Sequence, residues 1–199
     1  MEHAAKYPDL LGSVAALTTA LDIRDSYTKS HCDRVVALSV ALGKACGLAQ
    51  AELDHLRIGS RFHDIGKIGI ADSVLLKPGR LNAEEWAAVK AHSEFGERIF
   101  RATGIDTVEP IARAIRHHHE SFDGRGYPDG LAGEAIPLLS RVMLVVDAYD
   151  AMTTVRPYQA ARSHRQVRAI IESESGTKLD PEVVRVFFAQ IETSPYRAN

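Results

Sequence analysis

Three residues that lie close together in this sequence, His63, Asp64 and Lys67, could bind a metal ion and a phosphate group. A neutral imidazole offers one nitrogen to a divalent cation, and a carboxylate offers two oxygens that can bridge two cations. Taken alone, the His–Asp pair could equally be a helix end with a solvated aspartate. The histidines and aspartates elsewhere in the chain therefore decide between these two interpretations.

Five histidines fall on apolar helix faces that should be buried. A single buried imidazole usually needs only an ordinary hydrogen-bond partner. Five would need five separate partners, and each one left unpaired would cost about 1–3 kcal/mol. A shared metal centre satisfies all of them, and two aspartates would add carboxylate ligands. The predicted metal ligands are His31, His63, Asp64, His92, His118, His119 and Asp147.

This ligand set contains only nitrogen and oxygen and is too large for one ion, which predicts two divalent metals. Ions about 3.5–4 Å apart suit in-line displacement at phosphorus, in which a bridging water activated to hydroxide attacks. Lys67 would steady a phosphate oxygen or Asp64. The other histidines do not fit the pattern. His3, His55 and His164 are predicted to lie on the surface, and His117 on the surface or behind the ligands.

Apolar residues recur at helical spacing along the chain, and no stretch alternates convincingly with a period of two. The sequence therefore predicts an all-α, single-domain bundle with one core, formed by residues 9–199 and preceded by an arm at 1–8. A glycine- and proline-rich loop is predicted at 121–137, and loops of this length are often functional. Helices are predicted through 10–21, from about His31 to Gly47, from about Ala51 to a break at Gly66 and Gly69, from Asn82 to Gly104, through 111–118, through 139–150, from about Ser163 and from Pro181.

Composition excludes several classes of protein. The net charge of −2 over 199 residues provides no strong field for DNA or a membrane surface. Neither an apolar run of about 20 residues nor a signal peptide is visible, so a cytoplasmic location is predicted. If Cys32 and Cys46 share one helix, they lie roughly 21 Å apart along it and should not form a disulfide.

The motifs resemble those of the HD superfamily of metal-dependent phosphohydrolases, and within it the HD-GYP subfamily. The namesake triplet is Gly126-Tyr127-Pro128, which follows His118-His119-Glu120. Other matching runs are 24–31, 63–67, 77–79, 147–150 and 156–158. The resemblance extends from about Leu17 to about Phe188, in the family's order and spacing.

This resemblance implies a helical bundle with a buried metal centre, most often containing iron or manganese, with nickel, cobalt or zinc as alternatives. It implies hydrolysis of cyclic di-GMP to linear pGpG, and in some members onward to GMP. It assigns the same seven metal ligands, with Asp64 and Lys67 in catalysis. The residues it assigns to substrate binding are Asp25, Lys67, Gly126, Tyr127, Asp150 and Arg156.

Two departures from the family pattern affect what is expected. Tyr27 replaces a glutamate that members with a third metal carry, which favours two ions. Gln159 replaces a lysine that grips a phosphate in relatives, so binding could be ten- to a hundredfold weaker.

Several alternatives therefore stay open. They are cyclic GMP-AMP as substrate, another nucleotide or phosphate ester, and a weakly active or inactive binding module. The resemblance also suggests diguanylate cyclase (GGDEF-type) domains as partners of the 121–137 loop, and homodimerisation is a further alternative.

Overall fold

The computed structural model describes residues 16, 17, 19–21, 23, 24, 28–104, 108–155 and 160–198. No strand occurs in these residues, which confirms the predicted all-α fold. One 3-10 helix spans Ile65–Gly69, and another, Gly133–Ala135, lies in the long loop. The α-helices whose two ends both lie in the described residues are α1 Thr28–Ala45, α2 Gln50–Phe62, α3 Asp72–Leu75, α4 Ala83–Lys90, α5 His92–Arg101, α6 Glu109–Arg116, α7 Leu138–Thr153, α8 His164–Glu174 and α9 Pro181–Ile191.

The buried apolar side chains form two clusters rather than the single core that was predicted. The larger cluster joins α1 and α2 to α7, α8 and α9, with Tyr149 and Phe187 among its fully buried residues. The smaller cluster joins the end of α2 and the first 3-10 helix to α5 and α6, around Phe100 and Ile111. Helix α2 contributes to both clusters and therefore connects the two halves of the bundle.

Most of the predicted helix boundaries are correct because local chemistry sets them. Asn82 accepts from the Glu85 backbone N–H, and the Glu85 side chain accepts from the Asn82 N–H, which forms the predicted capping box. Gly47, just beyond α1, has φ 81°, a left-handed conformation that favours glycine. Pro181 is the first residue of α9, where its missing N–H costs nothing.

The predicted continuous helix from Asn82 to Gly104 is wrong, because the chain breaks at Ala91 into α4 and α5. Side chains just beyond the break replace the missing backbone hydrogen bonds. The His92 ring Nδ1 donates to the Val89 carbonyl at 2.7 Å, and Ser93 Oγ donates to the Lys90 carbonyl at 3.1 Å. The carbonyls at the end of α4 are thus satisfied without helix continuation.

Two histidines predicted to be on the surface are not exposed. His164 is buried, and its ring Nδ1 lies 3.0 Å from the Tyr149 hydroxyl. His55 is half-buried. His3 lies outside the described residues. Cys32 and Cys46 do not form a disulfide, as predicted, although Cys46 lies just beyond the end of α1. Within the part of the chain that the structure describes, no helix is long and apolar enough to span a membrane.

Candidate metal centre

The structure brings together the seven side chains that the sequence predicts as metal ligands, and all of them except Asp147 come from the ends of helices. His31 lies in the first turns of α1, and Asp147 lies on α7. His63 and Asp64 follow α2 directly, His92 begins α5, and His118 and His119 follow α6. Four of the five histidines are at most 2% exposed, and His119 is partly exposed.

Three of these histidines, His92, His118 and His119, form one group with converging ring nitrogens. The Nε2 atoms of His92 and His118 are 3.3 Å apart, and the rings of His118 and His119 are 4.0 Å apart. Burial lowers the pKa of His92, lowers that of His118 well below its ordinary value, and lowers that of His119 to about 3. The three imidazoles are therefore neutral at pH 7, which is the form that binds metal.

The second group contains His31, His63 and Asp64, with Asp147 beside them. Asp147 Oδ1 lies 3.3 Å from His31 Nε2 and 3.9 Å from His63 Nε2. Asp64 faces both groups, because its Oδ2 is 3.5 Å from His63 Nε2 and its Oδ1 is 3.5 Å from His92 Nε2. A carboxylate in this position can connect cations held by the two groups.

One local device orients three of the rings. His63, His92 and His118 each place Nδ1 against the backbone carbonyl three residues earlier, at 2.9, 2.7 and 2.5 Å. A carbonyl can only accept, so each Nδ1 carries the proton and each Nε2 lone pair faces the centre. Two such lone pairs, 3.3 Å apart on His92 and His118, repel unless a cation lies between them. The donor set therefore fits a metal.

His31 is oriented by a carboxylate instead. Its Nδ1 lies 2.7 Å from Asp150 Oδ2, and Asp150 also accepts from Arg34 Nε and Nη2 at 2.6 and 2.9 Å. Burial alone would lower the pKa of His31, but its hydrogen bonds to Asp147 and Asp150 outweigh burial and raise the pKa to about 9. Asp150 is 2% exposed, so this geometry fits a positioning role rather than the predicted substrate contact.

Lys67 and the turn around it are held tightly. Lys67 Nζ donates to Asp64 Oδ2 at 2.6 Å. Burial would raise the pKa of the Asp64 carboxyl, but Lys67 and the nearby histidines hold it well below its usual range. The Arg24 guanidinium donates to the carbonyls of Lys67 and Ile68 at 3.1 and 3.0 Å. A Cβ on Gly66 would lie only 1.8 Å from the His92 carbonyl oxygen, so this close approach requires glycine.

The long loop places Tyr127 beside the histidines. The Tyr127 ring lies 4.9 Å from that of His119 and 6.5 Å from that of His92, measured between centroids. The loop is anchored by buried Glu120, whose two carboxylate oxygens accept from the backbone N–H groups of Asp129 and Leu131. Tyr127 is therefore a fixed wall of the site.

Comparison with known proteins identifies the family. The family model described as "HD domain" matches residues 15–183. This chain belongs to the HD domain family, which confirms the resemblance seen in the sequence.

Two relatives of this HD domain are curated phosphodiesterases. The chain is 36% identical over 169 residues to "3'3'-cGAMP-specific phosphodiesterase 3" of Vibrio cholerae, covering 85% of this chain and 36% of the relative. It is 36% identical over 187 residues to "Cyclic di-GMP phosphodiesterase" of Thermotoga maritima, covering 94% and 51%. The HD domain chain thus spans from about a third to about half of these relatives' length.

A solved structure supports the fold of the HD domain. A cyclic GMP-AMP specific phosphodiesterase from V. cholerae superimposes with a TM-score of 0.69 at 24% identity, covering 89% of this chain and 47% of that one. At this identity the similarity establishes the helical arrangement alone.

A third group of potential ligands in this HD domain, His117, Glu120 and Asp129, is occupied by internal bonds. His117 Nε2 lies 2.8 Å from Asp129 Oδ2, and Arg116 makes two 2.7 Å bonds to the same carboxylate. His117 is buried, so it is not a surface residue but part of the loop anchor. An arginine beside the carboxylate opposes binding of a cation there.

Sequence reasoning missed Arg24 and Arg34 as residues that support the site. Arg34 lies one helical turn after His31, and this spacing indicates that the two side chains share a helix face. The groups that orient His63, His92 and His118 are backbone carbonyls, which every residue has, so residue types in the sequence do not reveal them. The predicted substrate residues Asp25 and Arg156, and the departures at Tyr27 and Gln159, lie outside the described residues.

Proposed function

We propose that this HD domain is a metal-dependent phosphodiesterase that hydrolyses cyclic di-GMP to linear pGpG, and onward to GMP as a second step. The observation that carries the proposal is the convergence of five imidazoles and two carboxylates in one site. The curated relatives, named as cyclic dinucleotide phosphodiesterases, support the substrate class. Hydrolysis adds water across one phosphodiester: an oxygen–phosphorus bond forms, and the bond from phosphorus to the 3′ oxygen breaks.

We propose two ions, with iron or manganese first and nickel, cobalt or zinc as alternatives. His92, His118 and His119 would hold one ion, His31, His63 and Asp147 the other, and Asp64 would connect them. This division follows the two groups of converging nitrogens and the position of Asp64 between them. When bound, the ions supply Lewis acidity that makes water nucleophilic at neutral pH and stabilises negative charge on phosphate oxygens.

The residues of the chain hold and orient the reactants. Asp64 is the carboxylate nearest both ligand groups, and Lys67 fixes its orientation through the 2.6 Å bond to Oδ2. Tyr127 would pack against a guanine or the sugar–phosphate ring. Gly126 lets the loop approach Glu120 and Ser121 closely, because a Cβ there would lie 2.1 Å from the Ser121 backbone nitrogen, and this packing would hold Tyr127 beside the substrate. The resemblance to HD-GYP proteins adds Asp25 and Arg156 as substrate contacts.

The wider context of the domain is also part of the proposal. We propose residues 9–199 as the HD-GYP-like unit after the 1–8 arm, acting in the cytoplasm. The 121–137 loop is proposed as the contact surface for diguanylate cyclase domains of the GGDEF type, and a homodimer is proposed as the assembly. Size-exclusion chromatography with light scattering and pull-down with a purified GGDEF domain test these two points.

The test of the main proposal is turnover of cyclic di-GMP by anaerobically purified protein with measured metal content. Product is separated by chromatography, and the control is a His63→Ala, Asp64→Ala double variant, which removes two predicted ligands. We expect pGpG from the wild type and none above background from the variant. Equal product from both proteins would refute the proposal.

A second candidate substrate is 3′3′ cyclic GMP-AMP, because a curated relative at the same identity is named for it. A panel with cyclic di-GMP, cyclic GMP-AMP, mononucleotides and simple phosphate esters at equal concentration ranks kcat/KM. Highest kcat/KM on a non-cyclic ester would instead indicate a general HD hydrolase. Tight cyclic di-GMP binding without turnover by metal-loaded protein would indicate a binding module.

A further inference from the structure

Lys90 lies at the edge of the two metal-ligand groups, and no acidic partner for it is found among the described residues. Lys90 is the last residue of α4, and its Nζ lies 5.8 Å from the centroid of the Tyr127 ring. Tyr127 in turn lies against His119. Among the described residues, no carboxylate forms an ion pair with Lys90, whose side chain is half-buried. A cation held only by an aromatic face is held weakly, by about 0.5–2 kcal/mol.

The other cations near the site are already neutralised. Lys67 donates to Asp64, and Arg34 makes two bonds to Asp150. Arg24 is occupied by Asp72 and by the carbonyls of the 3-10 turn. Lys90 therefore differs from its neighbours in having a positive charge that no described protein anion balances.

A cyclic dinucleotide carries two phosphodiester groups, and only one is cleaved at a time. The reacting phosphodiester is the one placed at the metal-ligand groups, so the other must lie to one side of them. On the side formed by His119 and Tyr127, the Lys90 ammonium is a positive charge, among the described residues, that can balance this second anion.

We propose that Lys90 is a substrate-binding residue whose ammonium binds the phosphodiester that is not being cleaved. The inference rests on the proposed function and names a residue that positions the substrate. Because this contact is the same in the ground state and the transition state, it should affect affinity and leave kcat nearly unchanged. A substrate with a single phosphodiester should not use it.

The test compares Lys90→Met and Lys90→Arg with the wild type and with Lys44→Met. Lys44 is an exposed lysine in the last turn of α1, about 20 Å along the helix from His31, so this control removes an equal charge elsewhere. Lys90 contributes only its backbone carbonyl to the bonds that satisfy the end of α4, so each variant should keep the fold. Metal content measured by elemental analysis should equal that of the wild type in all of them.

For Lys90→Met we expect KM for cyclic di-GMP to rise about tenfold or more, since loss of a charge-assisted hydrogen bond weakens binding by this order. We expect kcat to stay within about twofold, and Lys90→Arg to restore most of the affinity. On bis(p-nitrophenyl) phosphate, which has one phosphodiester, Lys90→Met should match the wild type. An equal rise in KM on both substrates, or no rise on either, would overturn the inference.

Binding is measured separately by calorimetry with a phosphorothioate analogue of cyclic di-GMP. A wild type that binds but does not hydrolyse would refute the proposed function and would still test Lys90 through Kd. A wild type that hydrolyses, with a Lys90→Met variant of unchanged Kd, would refute the Lys90 inference alone. Absence of binding by metal-loaded wild type would refute both.

Discussion

Replacing Asp150 by asparagine should weaken metal binding, although Asp150 is not one of the seven predicted metal ligands. The Asp150 carboxylate accepts three bonds, two from Arg34 and one from His31 Nδ1. An asparagine side chain keeps the shape but has one acceptor oxygen and one donor nitrogen. In either orientation of the amide, its NH₂ group faces a hydrogen-bond donor. If the amide oxygen keeps the bond from His31, the NH₂ group faces Arg34 Nε.

The size of this effect follows from the burial of the group. Leaving a buried donor without its acceptor costs about 1–3 kcal/mol, and losing a carboxylate behind a ligand histidine lowers metal affinity about 10- to 100-fold. At 1.36 kcal/mol per tenfold change, the two estimates agree at about 1.4–2.7 kcal/mol. We therefore expect Asp150→Asn to bind metal between about 10 and 100 times more weakly.

The assay is a competition titration of Mn²⁺ or Fe²⁺ against a chromophoric chelator under anaerobic conditions. The matched control is Asp33→Asn, since Asp33 lies on α1 with a side chain 59% exposed and pairs with Arg61 away from His31. Thermal melts of the metal-free proteins show whether the fold is intact. Unchanged metal affinity in a folded Asp150→Asn protein would refute the view that this carboxylate orients His31.

Three further perturbations test other parts of the site. Gly66→Ala should lower the free energy of unfolding by more than about 3 kcal/mol, because its Cβ would overlap the backbone oxygen of His92. Denaturant unfolding measures this, and a nearly unchanged free energy of unfolding would contradict the close approach. Asp147→Ala should lower both metal content and rate, the rate by more than about 100-fold; full metal occupancy would rule out its role as a ligand. Arg116 holds the pKa of Asp129 below its usual range, so that stability is present above pH of about 4 and is lost as pH falls. The melting temperature of Asp129→Asn should therefore lie below that of the wild type at pH 7 and converge with it towards pH 2, whereas a constant difference would contradict the ion pair.

Local signals in the sequence predicted the helix ends well. The Asn82–Glu85 capping box, Gly47 beyond α1 and Pro181 at the start of α9 depend on bonds within a few residues, so neighbouring residue types suffice to predict them. The break at Ala91 could not be read in this way. It depends on the His92 ring turning back to the Val89 carbonyl, a turn that fits the placement of Nε2 in the site.

Burial of single histidines was less predictable, because helical spacing gives a face but not what covers it. His164 begins α8 and reads as polar surface, yet the Tyr149 hydroxyl on α7 approaches it. His117 likewise becomes buried because the loop returns to place Asp129 over it. Both contacts join segments that are distant along the chain or folded back on it.

The sequence by itself determined that this protein is all-helical, that it belongs among HD-type proteins and which seven side chains should meet, because periodicity and residue chemistry are properties of the chain. Tertiary structure alone decided how those side chains divide into two groups, that Asp64 lies between them, and that Asp150 faces His31 rather than an open site. These outcomes depend on distances between atoms of different helices, which are set by packing and not by spacing along one helix.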